Sequence, residues 1–173
     1  QKLIRFELLL IKKTWRYKMK NLYEYSLSRQ YVGKVAEEAT TYTIQAPDSA
    51  REVLEAIGIH NDEQENFVCL HLDTQNKVKG FQKVTKGLID RSHVHPREVF
   101  RAAIISGSAK VILSHNHPSG ILQPSSQDLA CTENLIEAGE ILGIKVIDHI
   151  ICGENFGKYE QISMRSQGIV NFK

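Results

Sequence analysis

Two short apolar segments on either side of a capped helical segment constrain the fold of this chain most strongly. Residues 109–114 and 144–152 are short and apolar, as is typical of buried strands. Between them, Ser125 or Ser126 can cap a long helix with apolar residues recurring on one face, and Gly143 ends it. The sequence therefore predicts an α/β protein.

Other segments extend this pattern. They predict a helix that is capped by Asp48 or Ser49 and runs to about residue 57, a hairpin of strands at 66–72 and 77–85, and a helix at 96–105. They also predict a last strand in the tail at 159–170. The order of helices and strands predicts a mixed sheet with helices packed on it.

The length of 173 residues suits one compact domain with one ragged end. We predict a basic leader at residues 1–18, an N-terminal arm at 19–46, and a domain at 47–173. Residues 1–20 carry seven basic residues against one acidic residue, whereas acidic residues outnumber basic ones in the remainder. The first methionine is Met19, so the leader need not be native, and we expect it to have no catalytic role. A mildly acidic body argues against a broad phosphate-binding surface.

No apolar run reaches the roughly 18 residues of a transmembrane helix, so we expect no membrane span. The three cysteines, Cys69, Cys131 and Cys152, lie singly in apolar stretches, which is typical of buried thiols in a reducing compartment. There is no CxxC motif, which argues against a thiolate zinc site. We expect a cytoplasmic protein.

His115 and His117 follow the apolar run at 109–114, two positions apart. At the end of a strand, this spacing directs both imidazoles to the same side, an arrangement that suits zinc. Ser125 and Asp128 follow at the start of the predicted helix. A carboxylate in that first turn can point back and act as a third ligand, leaving a fourth position for water.

A simpler interpretation of Ser125 and Asp128 is a capping box alone, and the two interpretations are compatible. A helix N-terminus also stabilises a developing oxyanion. Ser125 is therefore a candidate for orienting water or for donating a hydrogen bond to a tetrahedral intermediate.

The pattern His-x-His, seven residues, Ser, two residues, Asp resembles the JAMM signature of MPN-domain metallopeptidases. The wider context is similar to the RadC branch of that family over about residues 48–170. The matching segments are His-Pro-Arg-Glu at 95–98, His-Asn-His-Pro-Ser-Gly at 115–120, Pro-Ser at 124–125, Asp-His at 148–149, and Glu-Asn-Phe at 65–67 followed by Leu-His-Leu-Asp at 70–73.

The resemblance implies an MPN/JAB fold similar to that of cytidine deaminases, a zinc ion held by His115, His117 and Asp128, and an upstream glutamate as general base. Glu65 is the best match for that glutamate, and Glu98 is its rival. The family also implies a helix-hairpin-helix region linked to DNA contact, but residues 19–46 are short and lack its glycines.

Other histidines have plainer interpretations. His93 and His95 have no Ser and Asp at matching spacing downstream, so we expect them to orient a loop. We expect His149 to be a satisfied structural residue or a hydrogen-bond partner of a metal ligand. Asn116 should fix the loop by hydrogen bonds. A deaminase reaction is excluded because the chain lacks its His-x-Glu and Pro-Cys-x-x-Cys motifs.

Three functions remain. The first is a zinc-dependent hydrolase of an amide bond, with a peptide or protein as substrate. The second is a DNA-repair-associated or DNA-binding accessory protein, supported by the RadC resemblance and the basic leader. The third is a scaffold without turnover, which we rank last because all three expected ligands are present.

Overall fold

The computed structural model describes residues 43–87 and 94–172. The leader at 1–18, residues 19–42 of the arm, and His93 lie outside the described residues. The division into leader, arm and domain therefore stays a prediction.

The described chain forms a five-stranded mixed sheet with three α-helices. In chain order the elements are α1 (Pro47–Ile57), a short 3-10 helix (Ile59–Asn61), β1 (Asn66–Leu72), β2 (Val78–Lys86), α2 (Pro96–Ile105), β3 (Lys110–Asn116), α3 (Ser126–Leu142), β4 (Lys145–Asn155) and β5 (Lys158–Ser163). The strand order is β2-β1-β3-β4-β5, in which β3 and β4 are parallel and the other neighbours are antiparallel. This confirms the α/β prediction of a mixed sheet flanked by helices.

Apolar clusters cover both faces of the sheet, which explains why its central strands are apolar almost throughout. One cluster joins Phe67 and Leu113 to Phe100 of α2 and Leu135 of α3. The other joins alternate residues of the same strands to α1 and the 3-10 helix. All seven residues of β1 are buried between these layers. The sheet thereby gives the end of β3 a rigid support.

The predicted start of the first helix is wrong, and the predicted last strand is too long. Asp48 or Ser49 was expected to cap α1, but the helix already begins at Pro47, with Ala46 as its N-cap. Proline suits this first position because its fixed φ is helical and its missing N–H would have no partner there. The last strand ends at Ser163 rather than near residue 170. Among the described residues, no helix is long and apolar enough to span a bilayer.

Candidate metal centre

The two predicted histidine ligands lie where β3 ends. His115 is the penultimate residue of β3, and His117 follows the strand directly. Their Nε2 atoms are 3.0 Å apart. Asp128, in the first turn of α3, places Oδ1 3.2 Å from His115 Nε2 and Oδ2 3.6 Å from His117 Nε2. The structure thus brings together the three residues that the spacing predicted, with one donor atom of each within 4.8 Å of the others.

The loop that carries His117 is pressed against β4. The His117 N–H donates to the Cys152 carbonyl at 2.9 Å. Gly120 has a φ of +74°, and a Cβ there would lie 2.8 Å from the Glu154 carbonyl oxygen. A Cβ on Gly153 would lie 3.1 Å from the His117 carbonyl oxygen. Gly120 therefore needs glycine, because a side chain there would press on the backbone of β4, whereas a Cβ on Gly153 would need the loop to shift by a few tenths of an ångström.

Asp128 is held by the start of its own helix. Ser125 is the N-cap, and its hydroxyl accepts from the Asp128 N–H at 3.2 Å. In return, Asp128 Oδ2 accepts from the Ser125 N–H at 2.8 Å and from its hydroxyl at 2.5 Å. The capping box and the convergence on the histidines are both present. The cap orients the carboxylate, so that its side chain is only 5% exposed and faces the two rings.

The donor set fits a divalent metal ion. His117 Nδ1 lies 2.5 Å from the Ile121 carbonyl, which can only accept, so in the neutral ring this nitrogen carries the proton and Nε2 keeps a lone pair. His115 Nδ1 is engaged by His149, which leaves its Nε2 directed at the same point. Two lone pairs 3.0 Å apart repel unless a cation or a proton lies between them. Two imidazoles and one carboxylate are a ligand set that zinc accepts.

The electrostatics of the centre favour a cation. Burial raises the pKa of Asp128, but the hydrogen bonds with His115 and His117 outweigh it and hold this pKa far below its usual range. The hydrogen bond with Asp128 raises the pKa of His117 above its ordinary value, although burial opposes this. Burial lowers the pKa of His149, whose ring is fully enclosed. Metal binding requires the carboxylate of Asp128 and the neutral ring of His117, so a metal ion would displace any proton that His117 holds.

A cavity of about 370 Å³ opens beside His117 and Asp128. Its walls are formed by Glu65, His117, Ser119, Ile121, Gln123, Ser125, Gln127 and Asp128. Glu65 precedes β1 directly and is half-buried. Its rival Glu98 does not line this cavity and instead pairs with Arg97 and Arg101 on its own helix. Whether Glu65 is the general base stays a prediction.

Asn116, the last residue of β3, connects the end of that strand to the segment that carries Glu65. Its Oδ1 accepts from the Asn66 N–H at 2.7 Å, and its Nδ2 donates to the Gln64 carbonyl at 3.1 Å. We expected Asn116 to fix its own loop. The hydrogen bonds run instead to the residues on either side of Glu65, which sets the position of that residue relative to β3.

The remaining candidates have structural contacts. His95 caps α2, with its Nδ1 accepting from the Arg97 N–H at 3.1 Å. His149 contacts His115 and also Thr132, which sequence reasoning missed. The available signal for Thr132 was its position one helical turn after Asp128.

Comparisons with known proteins found a matching family and several relatives. A family model described as "RadC-like JAB domain" matches residues 44–169. A UPF0758 protein of Methanosarcina mazei is 39% identical over 137 residues, covering 79% of this chain and 54% of that protein. Another, of Bacillus cereus strain B4264, is 41% identical over 133 residues, covering 76% of this chain and 56% of that protein. The chain thus spans about half the length of these curated relatives.

Proposed function

Because the chain belongs to the RadC-like JAB domain family, we propose that it is a zinc-dependent hydrolase that cleaves an amide bond in a peptide or protein. The observation that carries this proposal is the convergence of His115, His117 and Asp128 at the edge of a cavity that also contains a glutamate. His115 Nε2, His117 Nε2 and the Asp128 carboxylate would hold the ion. When bound, zinc supplies a Lewis acid that polarises a carbonyl and acidifies water.

Glu65 is the proposed general base. A carboxylate that lines the cavity beside His117 and Asp128 can accept a proton from water and pass it to the leaving amine. Asn116 supports this role by holding the backbone on both sides of Glu65. Glu98 is less suited, because Arg97 and Arg101 neutralise its carboxylate away from the cavity.

Ser125 is the proposed donor to the oxyanion. It lines the cavity at the N-terminus of α3, where the free backbone N–H groups favour negative charge. Its hydroxyl donates to Asp128 in this structure. We propose that this hydroxyl rotates to donate to the substrate oxygen as negative charge develops there.

The character of the cavity favours an amide over a phosphodiester as substrate. Apart from the metal ligands and Glu65, the described residues that line it are neutral, and none is Lys or Arg. The side chains of Gln123 and Gln127 can donate to and accept from a peptide backbone. A phosphate-binding site usually includes basic side chains. A DNA-associated accessory role is thus the weaker alternative.

A cytoplasmic location is part of the same proposal. Cys69, Cys131 and Cys152 are buried and form no disulfide bond among the described residues, as is common in reducing compartments.

The test begins with the metal content of the purified protein, measured by elemental mass spectrometry. We expect about one zinc ion per chain, lost in the His117→Ala/Asp128→Ala double variant. A library of quenched peptides and isopeptides then tests turnover. Glu65→Gln should keep zinc and lose activity, whereas Glu98→Gln should keep both. Failure of the wild type to take up zinc would overturn the proposal. Turnover that persists in Glu65→Gln would overturn the assignment of Glu65 as general base.

A further inference from the structure

His149 and Thr132 lie behind the metal centre, and the proposed reaction gives neither of them a role. Both are completely buried. His149 Nε2 is 2.8 Å from His115 Nδ1, His149 Nδ1 is 2.6 Å from Thr132 Oγ1, and Thr132 Oγ1 is 2.6 Å from the Asp128 carbonyl oxygen. We propose that His149 and Thr132 are positioning residues whose hydrogen-bond chain fixes the metal-binding form of His115, an inference that rests on the proposed metal site.

The donor and the acceptor of each hydrogen bond in this series follow from its last contact, the one between Thr132 and Asp128. Two oxygen atoms 2.6 Å apart need a proton between them, and a backbone carbonyl has none to give. The Thr132 hydroxyl therefore donates to Asp128. A hydroxyl has one proton, so Thr132 Oγ1 must act as the acceptor toward His149, whose Nδ1 carries the proton.

The same logic continues to the ligand. With its proton on Nδ1, the neutral His149 ring presents a lone pair at Nε2. That lone pair accepts from His115 Nδ1–H at 2.8 Å. His115 is thereby held in the tautomer whose Nε2 lone pair faces His117 and Asp128. The opposite tautomer would place a proton on Nε2 and could not bind a metal there.

This series of hydrogen bonds also links two of the proposed metal ligands, because it starts at the ring of His115 and ends at the backbone of Asp128. It therefore constrains the distance between the end of β3 and the first turn of α3. Phe67 supports the two rings, with its own ring parallel to His115 at 6.3 Å and edge-on to His149 at 5.5 Å. Both ring nitrogens of His149 therefore have a hydrogen-bond partner.

The test uses Thr132→Val, which keeps the shape of the side chain but removes the hydroxyl, and Thr132→Ser, which restores it. The dissociation constant for Zn²⁺ is measured by competition with a chromophoric chelator, and Co²⁺ absorption reports the ligand geometry. Thr132→Val should weaken zinc binding about 10- to 100-fold and alter the Co²⁺ spectrum. Thr132→Ser should bind as the wild type does.

His149→Phe, which removes the acceptor for His115, should weaken zinc binding at least as much as Thr132→Val. Its matched control is His71→Phe. His71 is also a buried histidine, but it pairs with Val111 at the far end of β3, and its Nε2 has no hydrogen-bond partner among the described residues. We expect this control to leave the zinc dissociation constant unchanged.

Thermal unfolding of the metal-free variants separates positioning from structural support. If Thr132→Val and His149→Phe lower the melting temperature but bind zinc like the wild type, the inference is wrong and the two residues only stabilise the fold. If the wild type binds no metal, the proposed function itself fails. The two failures are therefore distinguishable.

Discussion

The first turns of α2 and α3 are built alike but lead to different chemistry. Each helix has a side-chain N-cap, His95 or Ser125, and an acidic residue three positions later, Glu98 or Asp128. The Glu98 side chain is 35% exposed and binds two arginines, whereas the Asp128 side chain is 5% exposed and faces two histidines. Only Asp128 belongs to the group that can hold a metal.

The difference shows that the role of a first-turn carboxylate depends on what the rest of the fold places beside it. The neighbours of Glu98 are Arg97 and Arg101, from its own helix. The neighbours of Asp128 come from β3 and the residue after it. A local motif therefore predicts a helix start, and the tertiary contacts decide whether its acid becomes a ligand.

Removing each acid tests the comparison most directly. Asp128→Asn should weaken zinc binding by roughly 100-fold or more, because a ligand is lost outright and not only reoriented. Glu98→Gln should leave zinc binding unchanged. Isothermal titration of both metal-free variants with Zn²⁺ measures the effect. Equal losses in the two variants would break the comparison.

Lowering the pH should weaken zinc binding at the centre beside α3. Asp128 raises the pKa of His117 above 6.5 in the metal-free protein, and zinc must displace the proton that His117 then holds. Zinc affinity should therefore be constant above that raised pKa and fall about tenfold per pH unit below it. Because the pKa is raised, the loss should begin at a higher pH than for an unperturbed histidine.

A pH series of zinc dissociation constants checks this prediction. Glu98→Gln should reproduce the wild-type profile. An affinity that stays flat down to about pH 5.5 would contradict the assignment of His117 as a ligand whose proton competes with the metal.

Truncating the two caps should give smaller effects. Ser125→Ala and His95→Ala each remove an acceptor for a backbone N–H, at 3.2 Å and 3.1 Å respectively. Each should lower the free energy of unfolding by about 1 kcal/mol. Urea denaturation of the metal-free variants measures this loss. Only Ser125→Ala should also weaken zinc binding, because only Ser125 donates to the ligand carboxylate. A zinc affinity in Ser125→Ala equal to that in His95→Ala would show that the cap does not orient Asp128.

The smallest effect is expected for the ion pairs of Glu98. Arg101→Gln should lower the free energy of unfolding by about 0.5 kcal/mol or less, because both side chains are partly exposed to solvent. Thermal unfolding at low and high salt should show that even this difference shrinks as salt is added. A loss above about 2 kcal/mol would mean that Glu98 is more than a surface ion-pair residue.

The sequence was sufficient where the determinants are local. The bounds of β1 and α2 and the Ser125 cap follow from apolar runs, turn residues and capping chemistry, and the structure confirms them. The three residues of the candidate metal centre are also predicted from a local pattern. They lie within a short stretch in which a strand end and a helix start must be adjacent.

What the sequence could not show depends on contacts between distant residues. Asn116 reaches back 50 positions to Asn66, and His149 is 34 positions from His115. These contacts exist because β1 pairs antiparallel with β3 and β4 pairs parallel with it. Strand order is set by the packing of the whole sheet, which no single segment encodes. The helix start at Pro47 differs from the prediction for a simpler reason. The prediction assigns the cap to Asp48 or Ser49, whereas Pro47 already fits the first helical position.

The close contact of the 117–122 loop with β4 has a kinetic consequence. Gly120 and Gly153 let the loop lie against the strand, and the same loop provides both His117 and the Ile121 carbonyl that orients it. Because His117 belongs to this packed segment, rotating its ring away would break the hydrogen bond with the Ile121 carbonyl. For the proposed metal ion, we therefore expect a residence time set by the rate at which the loop detaches from β4, so that the exchange of metal is independent of chelator concentration.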